Sequence, residues 1–187
     1  MLKRILLSGA LGFLVLALWT FVTNGFFGFT ASLEMNRIAN ERQVYEVLKA
    51  NLVAPGVYLV NPALTDEGRF PDGEPVFSIR YSGFGHEAAG RMLFVEMAIT
   101  LLASVLMAGL LSVTSDRILS RFSRRVVFIA VVGLLLAVFG DLTKSGIGGY
   151  PAQSAMLLAA YHFVSWALAG LVMAWAMRAP AATASAK

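Results

Sequence analysis

Cysteine is absent from the 187 residues. That removes disulfides, thiolate metal sites, iron–sulfur clusters and cysteine nucleophiles, and with them any redox clue to the compartment. Charge is also scarce, at 14% Asp, Glu, Lys and Arg, where a soluble domain carries about a quarter. Histidine occurs only at His86 and His162. A single haem between them is conceivable, but the paired histidines on facing helices that usually hold one are lacking. No glycine-rich phosphate loop follows a strand, because Gly146, Gly148 and Gly149 lie in a short turn. There is no HExxH pattern, and no nucleophile motif lies near either histidine. Together these absences predict no enzyme activity and no cofactor. The net charge of +4 is small, and its cations flank apolar runs, a pattern of membrane topology that gives no reason to expect nucleic-acid binding.

What the chain does have is apolar residues, 58% of the total, gathered into long runs. Ile5 to Val22 is free of charge and forms about 27 Å of helix, close to the roughly 30 Å hydrocarbon core. Lys3 and Arg4 precede it, and it contains Trp19. Its length and aromatic content favour a retained signal anchor over a cleaved signal peptide. Met92 to Thr114 is interrupted only by Glu96. Val126 to Gly140 is short for a span and is expected to continue past Asp141. The fourth run lies between Pro151 and Met177 and holds His162. Arg117, Arg121, Arg124 and Arg125 crowd the loop between the second and third runs, and four spans put Lys3, Arg4 and Arg178 on the same side. The excess of basic residues marks that side as cytoplasmic. The expected protein is therefore an all-α membrane protein of four transmembrane helices, multi-pass, with both termini in the cytoplasm. Residues 1–30 form the first helix, 31–90 an extracytoplasmic insertion, 91–178 the other three helices, and 179–187 a cytoplasmic tail.

The insertion reads as a small α+β unit. Met35, Ile38, Tyr45, Leu48 and Leu52 fall on one helical face. Asn40 followed by Gln43 resembles a capping box that starts a helix at Glu41, and Pro55-Gly56 ends it. Val57–Val60 reads as a strand. Val76–Ser82 alternates, with Phe77, Ile79 and Tyr81 on one side. A helix on a two-stranded hairpin is too small to be stable alone, so it should rest on the membrane, the spans or a partner. The order of anchor, helix, Pro55-Gly56-Val57-Tyr58 with Pro62 soon after, hairpin and three spans resembles a group of small four-span bacterial inner-membrane proteins. The end of the fourth span, Trp166 to Ala174, is similar to theirs. In that group an acidic residue often stands where this chain has His162. The resemblance implies a bacterial cytoplasmic (inner) membrane and supplies no activity.

Ionisable groups within spans are expensive and suggest function. Glu96, Asp141 and His162 all fall in the outer half of the bilayer, where they form a candidate intramembrane polar site for a proton, a cation or a metal. Each also has a plainer reading. Asp141 can sit solvated at headgroup level or cap the Lys144 loop. Glu96 can pair with Arg91 or reach outward. His162 can donate to a carbonyl or to Glu96. In the fourth span His162, Trp166, Ala169 and Met173 share a face. Small residues four apart, Ser8–Gly12, Ser104–Ala108, Ser165–Ala169 and Gly170–Ala174, allow close helix approach within the bundle or with a partner. The leading expectation is a non-catalytic accessory or assembly subunit of a larger inner-membrane complex. Its candidate partner contacts are Phe77, Ile79, Tyr81, Gly170 and Ala174, and its surroundings are the lipid bilayer and a membrane-protein partner or homo-oligomer. The alternative is a small oligomeric transporter or ion-binding protein using Glu96, Asp141 and His162.

Overall fold

The computed structural model describes residues 1–146 and 149–177. Arg178 and the tail 179–187, expected on the cytoplasmic side, lie outside the described residues, as does the side chain of His86. Helix α1 (Leu2–Thr20) runs on into a wider π-turn at Phe21–Phe26 and is followed by α2 (Phe29–Glu34). Then come α3 (Glu41–Asn51), β1 (Gly56–Val60), β2 (Phe77–Tyr81) and α4 (Ala89–Ser112). A short α5 (Asp116–Leu119) leads to α6 (Phe122–Asp141), which tightens into a 3-10 turn at Leu142–Ser145 before α7 (Ala152–Ala176). Four of these helices, α1, α4, α6 and α7 with their attached turns, are long and apolar enough to cross a membrane. The chain is a multi-pass membrane protein, mostly helical, with one small sheet.

It divides into two compact units, Met35–Gly90 and the remainder. The membrane unit is assembled through small residues. A Cβ on Gly9 would stand 2.7 Å from the Cα of Val105, and one on Gly12 would stand 2.6 Å from Met173 Sδ and Ser104 Oγ. The backbone of α1 thus lies directly against α4 and α7. Gly133 on α6 receives Trp166 of α7 in the same way, at 2.4 Å from that residue's Cβ. Close approach lets serine hydroxyls reach across the gaps. Ser8 donates to the carbonyl of Met173 at 3.1 Å, and Ser104 donates to that of Gly9 at 2.8 Å. Lipid tails are as apolar as leucine, so in a membrane such packing and bonding hold helices together where hydrophobicity cannot. Leu16, Met107, Leu111, Ile129 and Met173 fill the spaces that remain. One cation joins this interior: Arg125 is buried, and its Nε donates to the carbonyl of Ala174 at 2.9 Å while its terminal nitrogen reaches the carbonyl of Leu119.

The Met35–Gly90 unit is built differently. β1 and β2 pair antiparallel, with Tyr58 opposite Ile79 and Val60 opposite Phe77. Tyr45 and Leu48 of α3 and Leu52 just after it line a cavity of about 230 Å³ with Ile79 and Tyr81 of β2. Two expectations need correction. Met35 and Ile38 precede α3 and do not extend its face. Asn40 occupies the N-cap position but its side chain makes no capping bond; its backbone (φ −112°, ψ 51°) departs from the extended geometry that aims a capping oxygen at the first turn.

Candidate functional site

Asp141 ends α6 and His162 lies in the first half of α7. The tight contact between these helices brings the two together. His162 Nδ1 lies 2.6 Å from Asp141 Oδ2, and Lys144 Nζ lies 2.9 Å from Oδ1. The 3-10 turn after α6 is what folds Lys144 back over the carboxylate three residues before it. Asp141 is 3% exposed, so each of its oxygens is taken by a cationic or N–H partner. An ionised carboxylate only accepts, so Nδ1 of His162 donates to it, and Nε2 is the ring nitrogen that Asp141 does not engage. No described residue bonds to Nε2, and the His162 side chain is 45% exposed. A carboxylate that fixes the tautomer of an imidazole and presents its second nitrogen is the arrangement used to accept a proton or to ligate a metal.

A second polar cluster surrounds the preceding residue, Tyr161. Tyr161 Oη lies 3.1 Å from Thr23 Oγ1 and 3.3 Å from Thr20 Oγ1. The ring of Tyr161 stacks on Trp19 at 6.2 Å and meets Phe29 at 5.2 Å. The π-turn that widens the end of α1 carries Thr23, whose hydroxyl also bonds the carbonyl of Trp19. The indole Nε1 of Trp19 is buried with no partner among the described residues. Beyond the span, Tyr150 donates to Glu34 at 3.3 Å. Partial burial and the Glu34 carboxylate raise the Tyr150 pKa above its ordinary value. The pairing of Thr20 and Thr23 with Tyr161 has no signal in the sequence, since the partners lie far apart along the chain.

Of the three expected intramembrane residues the structure joins two. Glu96 is exposed on α4 and has no ion pair or side-chain bond to a described residue; only its carbonyl is engaged, by Thr100. The expected three-membered site is therefore an Asp141–His162–Lys144 site without Glu96. Among the described residues no group of three His, Cys, Asp or Glu gathers to hold a metal. The expected partner contacts also divide. Phe77 and Tyr81 are exposed on the hairpin and Ile79 is half-buried. Gly170 and Ala174 are buried within the chain, the first against Ile129 and the second beneath Arg125. Their small size serves packing between α6 and α7, so they are not available to a partner. No protein-family model, curated protein or solved structure matches the chain.

Proposed function

We propose that the protein is a non-catalytic accessory or assembly subunit of a larger bacterial inner-membrane complex. Both termini are cytoplasmic, and the Met35–Gly90 unit meets a partner on the other side. The observation that carries this reading is the state of that unit. Among its described residues only Ala88 is buried, while Phe77, Phe84, Phe70 and Val53 stand exposed. A folded unit needs covered apolar surface to offset the entropy of ordering its chain, and exposed patches of this kind mark interaction surfaces. The basic residues at Lys3, Arg4 and Arg117–Arg125 support the orientation.

The test is gentle purification of the tagged full-length protein from its native membrane, with mass spectrometry of what accompanies it. A stoichiometric complex is expected, and Phe77→Ser combined with Tyr81→Ser should release it while leaving the four spans folded. A protein that purifies alone ends this reading.

The Asp141–His162–Lys144 site favours a second function, passage or binding of protons or small cations. Reconstituted into vesicles loaded with a pH-sensitive dye, the protein would then pass protons under an imposed potential, and His162→Ala would abolish the flux. Absence of flux from the unaltered protein removes this second function.

A further inference from the structure

From Ser104 onward helix α4 has two faces of opposite fate, whereas Arg91–Ile99 is exposed on every side. Ser104, Met107, Ala108 and Leu111 are buried in the bundle. The other face carries Met92, Val95, Ile99, Leu102 and Leu106, spaced alternately three and four apart, and all are exposed, from 37% at Met92 to 62% at Leu106. The same stripe continues through Gly109, where an added Cβ would meet nothing within 4 Å, to exposed Val113. This is a heptad seam with Met92, Ile99, Leu106 and Val113 at one core position and Val95, Leu102 and Gly109 at the other. Arg91 and Glu96 flank it. Neither forms an ion pair with a described residue. They sit five residues apart, about 140° around the helix axis, so they cannot meet on their own helix.

Between two parallel helices, five residues is the spacing at which flanking charges pair across a coiled-coil seam. Ile99 at the first core position and Leu102 at the second are the combination that favours two strands. We infer that α4 is the self-association surface of this protein: a second copy packs in parallel along Met92–Val113, and Arg91 of each copy pairs with Glu96 of the other. Two symmetric pairs then satisfy a carboxylate that stands inside a membrane span with no ion-pair partner among the described residues. A bare carboxylate at that depth is costly, and the seam needs a polar contact because lipid already solvates its apolar side chains. The inference stands on α4 alone and is independent of the hairpin's partner.

The absence of cysteine makes the test direct, because an introduced thiol is the only one present. Val95→Cys and Leu102→Cys lie on the seam; Phe94→Cys and Leu101→Cys lie off it at matching depth. Each full-length variant is oxidised in its membrane, and the product is resolved without reductant. The seam positions are expected to give a species of twice the monomer mass, with a yield about tenfold above the off-seam positions, since a disulfide tolerates only a narrow range of Cα separation. Adding Glu96→Arg should lower that yield several-fold, and the exchange Arg91→Glu with Glu96→Arg should restore it. Glu96→Gln, nearly isosteric, should give an intermediate loss with unchanged helicity, which separates lost pairing from misfolding. Equal yields on and off the seam would overturn the inference. So would indifference to charge reversal, or a cross-linked product with the mass of another protein. A dimer found with no other protein attached would leave this inference intact and end the accessory-subunit reading.

Discussion

In the membrane unit, α1, α4, α6 and α7 approach through Gly9, Gly12, Gly133, Ser8 and Ser104, and Leu111, Ile129 and Met173 are fully buried between them. Between Met35 and Gly90 large apolar side chains are plentiful, and among the described residues none of them is buried. The difference follows from the solvent each region meets. In lipid an exposed leucine costs nothing, so stability comes from close backbone contact and hydrogen bonds. At the aqueous boundary the same exposure is unfavourable by about 25 cal/mol per Å². The first region is therefore held by its own helix contacts, whereas the second keeps its large apolar side chains exposed.

That contrast can be broken at its strongest point by Gly133→Leu. The Cβ alone would lie 2.4 Å from that of Trp166, so α6 and α7 must separate. A loss of about 3 kcal/mol or more is expected, read as a fall in the thermal midpoint of the detergent-solubilised protein. Asp141→Asn should cost less. It removes the charge and one of the two acceptor oxygens that serve Lys144 and His162, whose side chains keep access to surroundings, and a loss of about 1–2 kcal/mol is expected in the same assay. Smaller again is Ser104→Ala, which deletes the bond to the Gly9 carbonyl; membrane hydrogen bonds of this kind contribute about 0.6 kcal/mol. At the far end, Phe77→Ser should leave the midpoint unchanged, because Phe77 is exposed. A clear drop from this change would mean that the hairpin is covered by its own chain.

The spans were legible because uncharged runs of this length have few alternatives, and the continuation of the third past Asp141 appears as the 3-10 turn to Ser145. The hairpin was legible from alternation at Phe77, Ile79 and Tyr81 and from the Pro55-Gly56 break. Helical phase placed His162 on the face of Trp166, Ala169 and Met173, which is the face packed against α6 and α1. It could not reveal which carboxylate His162 would meet. Glu96 and Asp141 both fell in the outer half of the bilayer, and only the pairing of α7 with α6 separates them. The same limit hid Arg125. In a loop with three other arginines it looked like one more topological cation, and its burial depends on the carbonyl of Ala174 arriving from another helix. Small-residue spacings signalled close approach without saying whose helix approaches, so Gly170 and Ala174 were equally suited to a partner until α6 was seen against them.

The bond from Ser8 to Met173 joins positions 165 residues apart, linking the first span to the last. A ribosome adding about 5–20 residues per second needs on the order of ten seconds or more to cover that distance. During that interval α1 can already hold α4 through Ser104 and Gly9, but the groove around Ser8 and Gly12 has no α7 to fill it. The nascent bundle therefore matures by lateral closure, α1 waiting with one side open to lipid until α7 leaves the tunnel.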